Sequence, residues 1–279
     1  MEKRRRKLEK ILFCAAMIAG LLSGAARANA DKTFIELGTD AIPVRGKVWF
    51  GAFGEKIKEP VSWIAMETGN VEGNYRLLVS EYLLEAFAFG YMRHSNKWIE
   101  SEARVFCTSF YEKSGEYDGS AFSKEERTAI AETKKSDSMY QSQSSSLVFG
   151  ATDDILNGDH VFFLSAQEAE DLFSKDDSRK AKYKDDGENY SPWWLRSPVS
   201  ESTTEVGIVN ITGKIDQYDS MERNCSAQPA FNLKRSAVLL SSKSRTDGTD
   251  DMYKLTLYDS DRSVRVSDKI TRTAKPHLS

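Results

Sequence analysis

SPWWLRSPVS, residues 191–200, places two adjacent tryptophans, a leucine and an arginine between Pro192 and Pro198. In an extended segment successive side chains point to opposite faces. Trp193 then shares a face with Leu195, and Trp194 turns the other way. One ring is buried with Leu195; the other meets a second layer or solvent. An exposed Trp194 is a surface for stacking on a sugar or docking an apolar group, and a covered one is core. Arg196 poses the same choice. A buried guanidinium needs a carboxylate or backbone carbonyls, and a structural clamp is the reading preferred over a ligand contact.

The flanking sequence supplies the partners of this strand. VGIVNITGKIDQYD (206–219) has the pattern of a hairpin turning at Thr212 and Gly213, and PAFNL (229–233) reads as a closing strand with Pro229 and Phe231 as scaffold. Upstream, VWFGAFG (48–54), VSWIAMET (61–68) and RLLVS (76–80) are rich in β-branched, aromatic and aliphatic residues and read as strands. KWIESEARVFCTSFY (97–111) changes period, with Ile99, Ala103, Phe106 and Phe110 on one helical face and Cys107 beside it. Ser123/Glu126 and Ser165/Glu168 match capping boxes, so a helix follows each. HVFFLS (160–165) reads as a buried strand. The Ser/Gln/Lys run 134–146 and the charged run 175–189 read as surface segments. Residues 241–251 read as a linker, followed by short strands at 253–258 and 263–266. Strands, then helices, then strands again is an α+β order.

The 279 residues, 40% hydrophobic and 11% aromatic, are ample for a core. Residues 1–30 carry a basic stretch, MEKRRRKLEK, a short apolar stretch and the small-residue run ARANA. That is the composition of an export signal cleaved after Ala30. Its apolar part is too short for a comfortable membrane span. Cleavage removes seven basic and two acidic residues and takes the net charge from −3 to −8. There is no basic excess and hence no nucleic-acid footprint. Export leaves two cysteines, Cys107 and Cys225, which permits one disulfide or two buried thiols.

Signals for chemistry are sparse. The three histidines, His94, His160 and His277, show no metal-ligand spacing. His160 begins a buried-looking strand, which favours packing over catalysis. No G-x-S-x-G elbow or Gly-rich phosphate loop occurs. Asp153, Asp154, Asn157 and Asp159, or Asp247, Asp250 and Asp251, offer oxygen ligands for calcium, but neither set has the spaced loop and terminal Glu. Solvated turns explain both. No catalytic residue and no cofactor other than calcium is expected.

WWLRSP, a gap of thirty residues and PAFNL resemble a domain-of-unknown-function family of exported gut-bacterial proteins. Phe53-Gly54, Leu77-Leu78-Val79-Ser80, the Trp98/Ser101/Arg104 spacing and Phe163-Leu164-Ser165 follow the family order, and the resemblance covers 48–240. Val199 and Gln228 stand where the family pattern has glycine and arginine. The resemblance implies a C-type-lectin-like fold over 44–240: a twisted antiparallel sheet, two main helices and long ligand-presenting loops. Residues 241–279 then form a short β-rich extension. It also implies recognition by the loops 200–205 and 216–224. Gln217, Tyr218, Met221 and Arg223 are the expected ligand residues, with Trp194; Trp193, Arg196, Pro229 and Phe231 hold them up. The expected protein is a secreted or cell-surface binding module for a glycan or protein. The alternatives are an enzyme of the formylglycine-generating-like fold or a structural module of a surface protein.

Overall fold

A computed structural model of the chain describes residues 35–37, 42–54, 59–66, 75–112, 120–245, 251–258 and 264–266. The expected export signal, Asp247, Asp250 and His277 lie outside the described residues.

In chain order, β1 (Ile35–Leu37) precedes β2 (Lys47–Phe53), β3 (Glu59–Ala65) and β4 (Tyr75–Ser80). A 3-10 turn, Trp98–Glu100, leads into α1 (Glu102–Tyr111), and α2 (Lys124–Ala129) follows. Five strands come next: β5 (Thr133–Asp137), β6 (Tyr140–Gln141), β7 (Val148–Phe149), β8 (Thr152–Asp159) and β9 (Val161–Phe162). Helices α3 (Ala166–Leu172) and α4 (Asp176–Arg179) precede β10 (Ala181–Lys182), β11 (Tyr190–Ser191), β12 (Trp193–Pro198), β13 (Glu205–Val209), β14 (Ile215–Asp219) and β15 (Ala230–Lys234). The last strands are β16 (Val238–Arg245), β17 (Asp251–Tyr258) and β18 (Val264–Val266).

The architecture is mostly β with a few short helices in open sheets, compatible with the α+β class. The main sheet runs β1-β16-β17-β2-β3-β4-β15-β9, with β18 beside β17. Only β17 and β2 pair in parallel within it. The residues read as a C-terminal extension therefore continue the main sheet. A separate three-stranded sheet, β12-β13-β14, carries the decapeptide.

The core explains why these segments fold as they do. Trp63 of β3 meets Phe231 of β15 edge-on, with centroids 4.6 Å apart, and Phe50, Phe110 and Phe122 complete the cluster. Its indole N–H donates to the Phe50 carbonyl at 2.7 Å, so the buried polar atom is satisfied. Ser101 caps α1 by accepting from the Arg104 N–H at 3.0 Å and donates to the Trp98 carbonyl at 2.8 Å. Arg104 then pairs with Asp159 at 2.7 Å. The Trp98/Ser101/Arg104 spacing is thus a helix-start device, with a cap of this kind contributing about 1 kcal/mol.

Several expectations need correction. Ile99 is exposed on the 3-10 turn, because α1 starts only at Glu102; its buried face is Ala103, Phe106, Cys107 and Phe110. The polar run 134–146 is not a bare loop: β5 pairs with β8 and β6 with β7. Asp153 to Asp159 belong to the strand β8, not a turn. The charged run 175–189 holds a buried residue, Arg179, whose Nε donates to the Gly213 carbonyl at 2.7 Å and whose Nη1 donates to the Phe173 carbonyl at 2.8 Å.

Candidate functional site

The decapeptide is core. Trp193 and Trp194 are both fully buried, which overturns an exposed Trp194. Trp194 meets a second layer, the other outcome that alternation allowed: its ring packs against Phe89, with centroids 5.6 Å apart, and against Tyr218. Trp193 pairs with Val209 and Trp194 with Ile208, but the register shifts before Pro198 pairs with Val206. Inside that irregular stretch the Arg196 N–H donates to the Leu164 carbonyl at 2.9 Å, not to β13. Each indole also has an acceptor: Trp193 donates to the Arg179 carbonyl at 3.0 Å and Trp194 to the Phe87 carbonyl at 2.8 Å. Pro229 gives its carbonyl to the Ser80 N–H at 2.9 Å, and Phe231 is fully buried.

Arg196 is the hub of a buried polar network. Its Nε and Nη2 donate to the two oxygens of Asp137, at 2.9 and 2.7 Å. Its Nη1 donates to Glu168 at 2.6 Å and to the Phe163 carbonyl at 2.8 Å. Glu168 also closes the capping box of α3 through the Ser165 N–H at 2.9 Å and pairs with Lys135. Burial alone would raise the Glu168 carboxyl, but the Arg196 charge, with Lys135, overcomes it and holds the pKa at about 2. Asp137 of β5 and Glu168 of α3 together answer a fully buried guanidinium, and the Asp137 pair ties β5 to β12.

A second carboxylate pins the neighbouring turn. Glu170 accepts from the Tyr140 hydroxyl at 2.7 Å, the Ser142 hydroxyl at 3.0 Å and the Gln143 and Ser144 N–H groups, each at 2.9 Å. Partial burial works against its charge, yet these hydrogen bonds hold its pKa at about 2.

The hairpin β13–β14 carries the expected binding loops. Its pairing runs from Glu205 opposite Asp219 to Val209 opposite Ile215. The turn closes through Asn210 and Lys214. Gly213 has φ of +85°, and a methyl group there would lie 1.8 Å from the Asp176 carbonyl oxygen, so only glycine fits. Gln217 donates to Glu205 at 2.7 Å across the hairpin. Tyr218 stands edge-on to Trp194 at 6.5 Å, its phenol pushed up by partial burial.

At the far end the chain brings a third segment to those loops. The Gly90 N–H donates to the Ser220 carbonyl at 2.9 Å, and the Asn96 N–H to the Thr203 carbonyl at 3.0 Å. The Asn96 side chain donates to the Ser202 and Glu205 carbonyls at 2.7 and 3.2 Å. His94 lies 2.9 and 3.0 Å from the two Asp219 oxygens, and Asp219 also accepts the Met221 N–H at 2.9 Å. That hydrogen bond to His94 lowers the Asp219 pKa. Arg223 sits over the Tyr91 ring at 4.2 Å. Tyr91, Met92 and Met221 are 45%, 78% and 40% exposed. His94 and Glu201 hold positive φ of 45° and 62°, conformations that non-glycine residues adopt rarely. The expected Met221 and Arg223 therefore join Tyr91, Met92 and His94, which the sequence reading passed over. The run YMRHSN (91–96) directly after Gly90 was the available signal: Tyr, Met, Arg and His in one short polar stretch.

The remaining candidates have structural environments. Cys107 and Cys225 are free and buried, so the permitted disulfide is not formed. Burial pushes both thiols well above their ordinary pKa, the opposite of an activated nucleophile. His160 stacks on Tyr111 at 4.0 Å, and burial lowers its pKa. Among the described residues no group of three or more His, Cys, Asp or Glu side chains is placed to hold a metal ion. Asp159 is committed to Arg104 and the Asn157 N–H. Among the same residues no helix is long and apolar enough to cross a membrane.

These elements define a mostly β module that presents three hydrogen-bonded loops on a hairpin. Residues 73–235 match the family described as Domain of unknown function (DUF6273), and the chain belongs to it. No curated protein and no solved structure matches.

Proposed function

We propose that the chain is an exported, non-catalytic binding module with a C-type-lectin-like fold. It acts outside the cell or at its surface on a protein or glycan ligand. The composition of residues 1–30 supports export, with cleavage after Ala30. A mainly antiparallel sheet with loops gathered at one end of a hairpin supports the lectin-like reading. One observation carries the binding reading: Tyr91, Met92, Met221 and Arg223 converge on solvent from loops tied down by backbone hydrogen bonds. Tyr, Met and Arg are enriched at protein interfaces, and rigid loops lose little entropy on binding. Gln217 and Tyr218 are half-buried on the adjoining strand, and the composition of the face favours a protein ligand.

The test is an array of extracellular proteins and glycans probed with the secreted chain and with its Tyr91→Ala/Arg223→Ala variant. A ligand bound by the parent and weakened at least about tenfold in the variant supports the reading, about 1.4 kcal/mol of contact. The variant's unfolding midpoint should match the parent's. Equal binding by both proteins, or turnover of the ligand, overturns it.

A further inference from the structure

A groove of about 540 Å³ opens between the start of β3, the segment 82–84 after β4, and the turn 183–186 between β10 and β11. It shares no residue with the loop face. Phe53, Tyr82 and Tyr183 bring three aromatic rings to it, and Val61 and Leu83 line it with buried aliphatic surface. Glu59, Asp185 and Asp186 are its exposed carboxylates.

Its rings are held by hydrogen bonds and charge. The Tyr183 hydroxyl is 2.6 Å from the Ser226 hydroxyl. Tyr82 neighbours Glu81, which accepts from the Ser62 hydroxyl at 2.6 Å and pairs with Lys47 at 2.6 Å. Lys184 pairs with Glu59 at 2.7 Å and ties the turn to β3. The charged lining is then three carboxylates against one ammonium, Lys184, a net of −2. An anionic ligand meets like charge there. A cation with an aliphatic stem meets what it needs: aromatic and aliphatic side chains for the stem and carboxylates at the exposed side for the charge.

We infer that this groove binds the lysine or arginine side chain of an extended, basic peptide segment. The stem lies along Val61, Leu83 and the rings, and the charge reaches Asp185 and Asp186. Lys184 occupies Glu59 in the free protein and competes with the ligand for it.

The test titrates the secreted chain with a capped tetra-arginine peptide, at low and at moderate salt. Binding at low salt should weaken several-fold as screening grows. Asp185→Asn/Asp186→Asn should weaken it at least about tenfold, and Lys184→Met should tighten it about threefold by freeing Glu59. Asp153→Asn/Asp154→Asn, an exposed acidic pair on β8, should stay within about twofold and controls for general attraction to an acidic protein. Absence of binding at low salt overturns the inference. So does equal loss in the two acidic-pair variants, or weaker binding by Lys184→Met. Salt-insensitive binding of a neutral oligosaccharide that displaces the peptide overturns it as well, since the groove is then a saccharide site.

Discussion

Arg196→Met separates the charge of the buried guanidinium from its bulk. The arginine is fully buried and gives four hydrogen bonds, two to Asp137, one to Glu168 and one to the Phe163 carbonyl. Methionine keeps most of the stem and none of the donors. Asp137, with only 9% of its side chain exposed, then loses its bidentate partner. Glu168 keeps Lys135 and the Ser165 N–H, so Asp137 carries most of the penalty. Removing one member of a buried ion pair costs about 3–5 kcal/mol. At an m-value of about 2–3 kcal/mol per molar urea, the unfolding midpoint should fall by about 1–2.5 M. Arg196→Ala should fall further, because it adds a cavity to the same charge defect.

The urea midpoint followed by tryptophan fluorescence reads this directly. Adding Asp137→Asn to Arg196→Met removes the stranded carboxylate and should recover part of the loss. A midpoint for Arg196→Met within about 0.3 M of the parent refutes the reasoning, since it is worth less than about 1 kcal/mol. So does strict additivity in the double mutant, which would mean that the two side chains are not coupled.

Acid should unfold the protein through the two depressed carboxyls. Glu168 and Glu170, each with a folded pKa of about 2, contribute stability that is complete above their unfolded values and lost as pH falls toward 2; urea midpoints taken from pH 5 to pH 2.5 should fall, and less steeply in Glu168→Gln. Glu170→Ala should cost about 1–3 kcal/mol, since it strands two backbone N–H groups and two hydroxyls, and should raise hydrogen exchange at Gln143 and Ser144 first. Cys107 and Cys225 should not react with a thiol reagent in the native protein, and both should react on unfolding without reductant; a bridged pair would react in neither state.

Elements with a local cause were legible in the sequence. Both capping boxes form as read, because Ser and Glu three apart satisfy each other's orphan groups without help from elsewhere. The hairpin at 206–219 and the closing strand followed from residue type and turn chemistry in the same way. What failed depends on distant partners. The run 134–146 looks like solvated loop, yet Lys135, Asp137 and Tyr140 answer Glu168, Arg196 and Glu170 some thirty to sixty residues away. Alternation left open what Trp194 meets, and the cover comes from Phe89 and the Phe87 carbonyl, more than a hundred residues away. Half of the loop face was visible as Met221 and Arg223. The other half, Tyr91 to His94, joins it only through the Gly90–Ser220 and Asn96–Thr203 hydrogen bonds, which no short window contains.

The WWLRSP strand and the loop face sit on one physical continuum, and the point where one becomes the other is Tyr218. Its ring leans edge-on against buried Trp194, while its neighbour in sequence, Asp219, already holds His94 and the Met221 N–H at the surface. Trp194 in turn is fixed by the Phe87 carbonyl, three residues before Gly90. The buried indole thus bonds the chain that enters the 90–96 segment and packs against the strand that ends in the 219–223 loop. That arrangement gives a buried tryptophan an indirect part in any recognition at the face. A change at Trp194 removes the common support of both loops, whereas a change at Tyr91 or Arg223 removes contact area and leaves the support standing. The two kinds of variant therefore part company in stability before they are compared in binding.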